Sequence, residues 1–463
     1  AFAEAYAPEH LLVLTREPRS ALGRVRAAGT MFLGPNSSVA FGDYITGANH
    51  TLPTAGLARA YSGLSTLDFL RWFTWQEVDA AAARDLATVT ATLADAEGLP
   101  AHAQAANLRL NASDGRAEPV LRSAYADLSL YDPQRTPCEV DLSDNTNLFG
   151  VPPAAAELLT KAPSERITRY PTVFASRLKE EIAHWFGVAP ENVTTGCGSD
   201  DVIDSALRAF CETGDRVVFP DPTFSMAAAF ARINALEPVP VPLTDELQLD
   251  VAGLSNARGR VTYVCSPNNP TGTVFRRSDI ERLLESVPGV LLLDEAYADF
   301  AEDDFTAAAA HSQRLVSLRT MSKAFGLAGL RIGIAIGPAE LIHEIEKSRG
   351  PYKVNNLAEA AAGAALSRDG AWVRAQAATV KQNRARLATE LTNSGYTVLP
   401  SGGNFLLVRV PKPKTAQALS SSLRARGVAV RPFPALPQLG DCIRITIGPW
   451  NLLERFLSEL AAS

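Results

Sequence analysis

Thr320-Met321-Ser322-Lys323-Ala324-Phe325-Gly326-Leu327-Ala328-Gly329-Leu330-Arg331 decides the reading of this 463-residue chain. Two segments upstream share its setting: Ser266-Pro267-Asn268-Asn269-Pro270-Thr271-Gly272 and Leu293-Asp294-Glu295-Ala296-Tyr297. Each of the three follows a short aliphatic or β-branched run, at residues 315–318, 261–265 and 290–293. Such runs read as buried strands. In open α/β sheets, ligands gather at the carboxyl ends of the strands. Asn269, Asp294, Tyr297, Lys323 and Arg331 are therefore expected to converge on one crevice that holds a candidate amine nucleophile.

A lysine that reacts with carbonyl groups must lose its proton near neutral pH, and burial or a nearby positive charge lowers its pKa to that range. A pyridoxal phosphate site supplies both. That cofactor draws electrons into a protonated ring nitrogen, and a carboxylate must hold the proton. Asp294, at a strand end, suits the role, and Tyr297 and Asn269 suit the ring hydroxyl. The phosphate needs donors at a helix start. Thr195-Gly196-Cys197-Gly198-Ser199-Asp200-Asp201 lies between strand-like residues 192–194 and helix-like residues 202–211. Backbone N–H groups at Gly198, Ser199 and Asp200 are expected to cradle it, with the Ser322 hydroxyl and a bidentate Arg331 guanidinium beside them. A lone Ser-Lys or a glycine turn is ordinarily punctuation or surface. Four such segments, each at a strand end, point to a site.

Over roughly residues 121–462, this set resembles the fold-type-I pyridoxal phosphate aminotransferases, most closely the histidinol-phosphate aminotransferase branch. The resemblance implies Lys323 as the Schiff-base lysine, Asp294 as the partner of the pyridine nitrogen, and Tyr297 and Asn269 as partners of the ring hydroxyl. It adds Thr320 to the cofactor-binding set. It places Phe224, in Asp221-Pro222-Thr223-Phe224, where the family stacks an aromatic on the cofactor ring. That position is commonly Tyr; Phe keeps the π-face and drops the polar handle.

On the substrate side, Arg444 lies in Ile443-Arg444-Ile445-Thr446-Ile447-Gly448, and Arg431 follows Val428-Ala429-Val430. Two arginines on neighbouring strands make a fork for an anion, and by the resemblance both hold the substrate's acid group or phosphate. Tyr131 and Tyr170 match further substrate-phosphate contacts. Tyr170 is implied to reach across a homodimer interface. The chain departs from the family at Asp144-Asn145-Thr146-Asn147, where an Asn-Glu-Asn segment loses its Glu, and at Lys353, where Asn is common. The expected reaction is transamination of histidinol phosphate with 2-oxoglutarate, yielding glutamate, in histidine biosynthesis. Aromatic aminotransferases and phosphothreonine decarboxylases share most of the cofactor motifs and remain open.

The first hundred residues differ in kind. Ala7-Pro8-Glu9-His10-Leu11, Gly42-Asp43-Tyr44, Gly47-Ala48-Asn49-His50 and Glu97-Gly98-Leu99-Pro100-Ala101-His102 contain three of the chain's six histidines. In this order, over residues 1–110, they resemble the C-terminal tail of histidinol dehydrogenase, a zinc enzyme that uses NAD. The resemblance implies Glu9 and His10 as an acid/base pair, Asp43 and His102 as zinc ligands, and His50 and Glu97 as substrate contacts. Two protein ligands rarely make a tight zinc site, and no Gly-x-Gly-x-x-Gly fingerprint is present. Zinc and dehydrogenase activity are therefore expected only together with the rest of that enzyme. Such a module is either part of a bifunctional fusion or a retained structural element.

Composition sets the outer limits. Apolar residues make up 46% and charged residues 20%, an ordinary globular mix. The net charge of −6 leaves no basic footprint for nucleic acid. Five cysteines, at 138, 197, 211, 265 and 442, form no Cys-x-x-Cys pair, which suits a reducing cytoplasm. No apolar run is long enough for a membrane span. The expected architecture is α/β: a helical and irregular module over residues 1–112, a linker and arm over 113–162, a large, mostly parallel-sheet cofactor domain over 163–337, and a smaller α/β domain over 338–463. Residues 75–97 read as one amphipathic helix.

Overall fold

The computed structural model describes residues 1–47, 50–110, 122, 125, 128 and 137–462. Tyr131 and the polar boundary 111–116 lie outside the described residues. The chain divides into two compact units, Ala1–Val120 and Leu121–Ser463.

In the first unit, strands β1 (His10–Val13) and β2 (Thr30–Leu33) form a parallel pair. A helix at Ala80–Ala96 meets one at Pro100–Leu110 through a seam of Ala91, Ala94, Ala103 and Ala106. The first of these begins later than the expected residue 75. Asp79 caps it by accepting the Ala82 N–H at 2.8 Å, and an Asp at that position starts a helix rather than continuing one. Trp72, Phe73 and Trp75 lie ahead of the cap and are exposed.

In the second unit, β3 (Val140–Asp141) comes first. The central sheet follows, with β4 (Val193–Cys197), β5 (Arg216–Asp221), β6 (Glu237–Pro242), β7 (Val261–Cys265), β8 (Val290–Asp294), β9 (Leu315–Thr320) and β10 (Ile332–Ile336). Its order is β4-β10-β9-β8-β7-β5-β6. All pairings are parallel except those of β10, which runs antiparallel to both neighbours. The apolar runs seen in the sequence are its middle strands: every residue of β7 and β9, and all but the first of β8, is buried. Burial on both faces is what a parallel sheet between helical layers requires. Register sets Cys265 opposite Asp294, and Asp294 opposite Leu318. The carboxyl ends of β7 and β8 are thereby level, and β9 runs two residues further, to Thr320.

The antiparallel β10 does a second job. Its first residue, Ile332, pairs with Cys197 at the end of β4. Arg331, just before it, is thus delivered to the Gly198 turn. Gly198 has φ +84°, and a Cβ there would strike the Arg331 guanidinium; a Cβ at Gly333 would strike the Gly198 backbone. Gly198 is required by its positive φ and Gly333 by this close approach of backbone to backbone.

C-terminal to these strands, β11 (Thr397–Val398), β12 (Phe405–Arg409), β14 (Arg431–Leu436) and β15 (Gly440–Thr446) form a second sheet, while β13 (Val428–Ala429) pairs with β3. One core cluster joins side chains on both sides of residue 337, from Leu178 and Ile334 to Phe405 and Phe456.

Candidate active site

The carboxyl edge of the central sheet opens into a cavity of about 730 Å³. Ser199, Asp200, Phe224, Asn269, Asp294, Tyr297, Thr320, Ser322, Lys323, Arg331, Arg431 and Arg444 all line it. Gly198 adjoins through its contact with Arg331.

Lys323 lies on the turn after β9, its Nζ donating to the Asp144 carbonyl at 3.3 Å. Burial first, and the positive charge of Arg444 second, lower its pKa to about 8. Asp294, 3% exposed, ends β8. Its Oδ2 accepts the Tyr263 hydroxyl at 2.7 Å and its Oδ1 the Ala296 N–H at 3.1 Å. Burial raises its pKa to about 6 against the pull of those two donors. Tyr297 receives the Asn145 amide at 3.1 Å, and burial pushes its hydroxyl well above the usual range, so it stays a donor. Arg331 Nη2 is 3.5 Å from Asp200, whose own pKa burial raises.

At the other end, Arg431 and Arg444 face each other in register across β14 and β15. Arg444 is 8% exposed. It donates to Asn269 Oδ1 at 2.6 Å and to the Ser143 carbonyl at 2.8 Å. Like charges directly opposed across a strand pair are unfavourable; an anion between them reverses the sign.

These residues fit the pyridoxal phosphate expected from the sequence. Asp294 is a buried carboxylate held for a cationic partner. Gly198, Ser199 and Asp200 open the twelve-residue helix Ser199–Phe210 beside Arg331 and Ser322, which suits a phosphate. Lys323 is the amine between them.

Other expectations are placed elsewhere. Tyr170 does not line the cavity; it is 83% exposed, with its ring 5.1 Å from that of Tyr352. Lys353 is also outside the lining, bound to Asp201 at 2.7 Å, which in turn accepts the Cys197 N–H at 2.8 Å. In the first unit, Asp43 Oδ1 sits 3.6 Å from His10 Nε2 and 3.3 Å from His50 Nδ1, and Glu9 lies 3.9 Å from His10 Nδ1. Glu97 caps the end of one helix and His102 lies on the next. No group of three or more His, Cys, Asp or Glu among the described residues is arranged to hold a metal ion, and the expected zinc pair Asp43 and His102 is tied to the rest of a dehydrogenase.

Three lining or supporting residues were missed in the sequence. Tyr263 carried a signal, since a buried tyrosine in an apolar strand needs a partner for its hydroxyl. Phe433, with its ring 5.4 Å from Arg444, lies two residues beyond Arg431, hence on the same strand face. Thr223, beside Phe224, gave no signal of its own.

Comparison with known proteins agrees with this geometry. A family model described as aminotransferase class I and II matches residues 138–460, and one described as histidinol dehydrogenase matches residues 1–110. A histidinol-phosphate aminotransferase of Thermoanaerobacter sp. (strain X514) is 32% identical over 336 residues, covering 71% of this chain and 94% of the relative. A histidine biosynthesis bifunctional protein HisCD of Photorhabdus laumondii is 31% identical over 478 residues. That match covers 99% of this chain, which spans only 58% of the relative's length. The crystal structure of histidinol-phosphate aminotransferase from Sinorhizobium meliloti, in complex with pyridoxal 5′-phosphate, superposes with TM-score 0.69 at 24% identity, over 75% of this chain and 98% of that one. The fold is that of the fold-type-I pyridoxal phosphate aminotransferases. By the match over residues 138–460, this chain belongs to the class I and II aminotransferase family.

Proposed function

We propose that this aminotransferase, working with pyridoxal 5′-phosphate, moves the amino group of histidinol phosphate to 2-oxoglutarate in histidine biosynthesis. The observation that carries the reading is the second anion site. Arg431 and Arg444 oppose each other in the cavity that holds Lys323, at a place distinct from the Gly198–Arg331 cradle. A substrate with its own phosphate or carboxylate is what such a pair selects. The names of the relatives and the dehydrogenase-like residues 1–110 both point to the histidinol step.

Bound pyridoxal phosphate supplies the carbonyl carbon for the amine and a ring that accepts the electron pair released at the substrate α-carbon. The chain's residues do the rest. Asp294 holds the proton on the ring nitrogen. Tyr297, oriented by Asn145, donates to the ring hydroxyl, as does the amide of Asn269, whose carbonyl is taken by Arg444. Phe224 covers a ring face. Arg431 and Arg444 orient the substrate by its anion, in turn for each half of the reaction. Lys323, whose pKa burial lowers to about 8, would in its neutral form take the α-proton and then act as the acid that gives it back.

The competing activities separate on donors. Histidinol phosphate is expected to give the highest kcat/KM, ahead of phenylalanine and phosphothreonine, with no carbon dioxide released from the last. Preference for phenylalanine overturns the substrate while leaving the aminotransferase; release of carbon dioxide from phosphothreonine overturns the transamination as well.

Loading has a predictable pH dependence. Only the neutral amine of Lys323 reacts, and its pKa is lowered to about 8. The rate at which cofactor-free chain takes up pyridoxal phosphate should rise about tenfold per pH unit below 8 and level off above it. A rise continuing toward pH 10, followed by stopped-flow absorbance, contradicts this placement.

The exposed group of Ile167, Tyr170, Val173, Phe174 and Tyr352 supports a homodimer in which Tyr170 serves the partner's cavity. Light scattering should read twice the chain mass of 49.4 kDa. Tyr170→Ala should raise KM for histidinol phosphate more than it lowers kcat. A fully active monomer rules this out. Residues 1–110 read as part of a bifunctional fusion, with zinc and NAD chemistry only where the rest of a dehydrogenase is joined.

A further inference from the structure

The floor of the cavity is built by a residue that no cofactor contact needs. Tyr263 lies two residues before Cys265 on β7, and so on the same strand face. Cys265 lines the cavity and pairs in register with Asp294. Tyr263 therefore reaches Asp294 from beneath. Its ring is packed in the core with Val202, Phe219 and Leu292 and is 1% exposed. Its hydroxyl donates to Asp294 Oδ2 at 2.7 Å.

We infer that Tyr263 is a positioning residue for the reaction: it fixes the Asp294 carboxylate and keeps it ionised, so that the proton stays on the cofactor's ring nitrogen. The inference rests on the reading of this cavity as a pyridoxal phosphate site.

With the Ala296 N–H on Oδ1, both carboxylate oxygens are held, and each keeps one lone pair for a third partner. A hydrogen bond to the charged form favours it. Burial works the other way and is the larger influence on Asp294. The other charged or titratable groups facing Asp294 are Asp200, which disfavours its charge, Lys323, which favours it, and the neighbouring Cys265 and Tyr297. Tyr263 itself is held far above its usual pKa by burial. It remains a donor at every working pH, which a titrating side chain in its place would not.

A buried tyrosine hydroxyl also needs a partner for its own sake. The test must therefore separate positioning from packing. Tyr263→Phe keeps the ring and deletes the hydroxyl. In the full chain we expect pyridoxal phosphate to bind about tenfold more weakly, by equilibrium titration of its absorbance, as expected for losing one hydrogen bond to a charged group. The visible band of the bound cofactor should titrate at higher pH than in the parent. The ratio of variant to parent kcat should be about one tenth at pH 7 and climb toward one as pH rises, because removing the donor raises the pKa of Asp294. KM for the amino donor should stay within about twofold. Replacing Tyr263 by 3-fluorotyrosine, a more acidic donor of nearly the same shape, should move the band's titration the other way. This keeps the idea testable if Tyr263→Phe does not fold. Unchanged affinity, band and kcat ratio, with only the melting temperature lowered, make Tyr263 a packing residue and overturn the inference alone. A parent chain that binds no pyridoxal phosphate overturns the inference and the reading beneath it together.

Discussion

Lys323→Ala is expected to lower transamination by on the order of 10⁴-fold, the upper end of what one positioned acid–base group supplies. Arg331, Arg431 and Arg444 also line the cavity, but guanidinium groups keep their protons at any working pH. Among the described lining residues, Lys323 is the one amine. The loss should fall on kcat with little change in apparent affinity for the amino donor, because the arginines that hold the anion are untouched. Folding should not suffer. Burial opposes the ammonium form of Lys323, so its removal relieves a cost, and the melting temperature of the cofactor-free chain should stay the same or rise. Single-turnover kinetics with saturating substrate would expose the opposite result: more than about 1% residual rate would mean that another base moves the α-proton.

Asp294→Asn should cost about 10²- to 10³-fold in kcat, the range seen when a preorganised charge partner is removed. Asparagine keeps the shape, but its single acceptor oxygen can serve only one of Tyr263 and Ala296, and it carries no charge to hold a proton on the ring nitrogen. A second readout follows from linkage. The folded pKa of Asp294, raised to about 6 from its usual 3.8, means that its proton is bound more tightly in the folded chain. Its contribution to stability is fully present below about pH 4 and is lost as pH rises through 6. Asparagine does not titrate, so the cofactor-free variant should gain on the parent across that window. A melting-temperature difference that is flat from pH 4 to 7 contradicts the burial argument. A variant with unimpaired kcat contradicts the role.

Much of the site was legible because parallel strands buried on both faces must be unbroken apolar runs, and ligands collect where such runs end. Lys323, Asp294, Asn269 and the Gly198 turn stood at those ends and could be assigned together. What escaped was fixed by register and by packing between segments distant in sequence. The fork of Arg431 and Arg444 on neighbouring strands was expected, but their direct opposition depends on how β14 slides against β15. The bond from Tyr263 to Asp294 joins two strands that the sequence presents as separate apolar runs. The antiparallel β10 brings Arg331 onto Gly198, a contact the sequence suggests only through two glycines. In the first unit, the aromatic run Trp72-Phe73-Thr74-Trp75 mimics a helical face, and Asp79, which starts the helix, lies beyond it. His10, Asp43 and His50 come together there because a strand, a helix and a loop meet at that point.

The central claim is that one cavity uses Lys323 to take the amino group from histidinol phosphate. The most direct measurement is the absorbance spectrum of the chain loaded with pyridoxal phosphate, recorded before and after histidinol phosphate is added with no keto acid present. The account predicts a visible band that bleaches on addition and returns when 2-oxoglutarate is supplied. A band that forms but survives histidinol phosphate, and bleaches with another amine, contradicts the substrate. A chain that acquires no band contradicts the assignment of Lys323 itself.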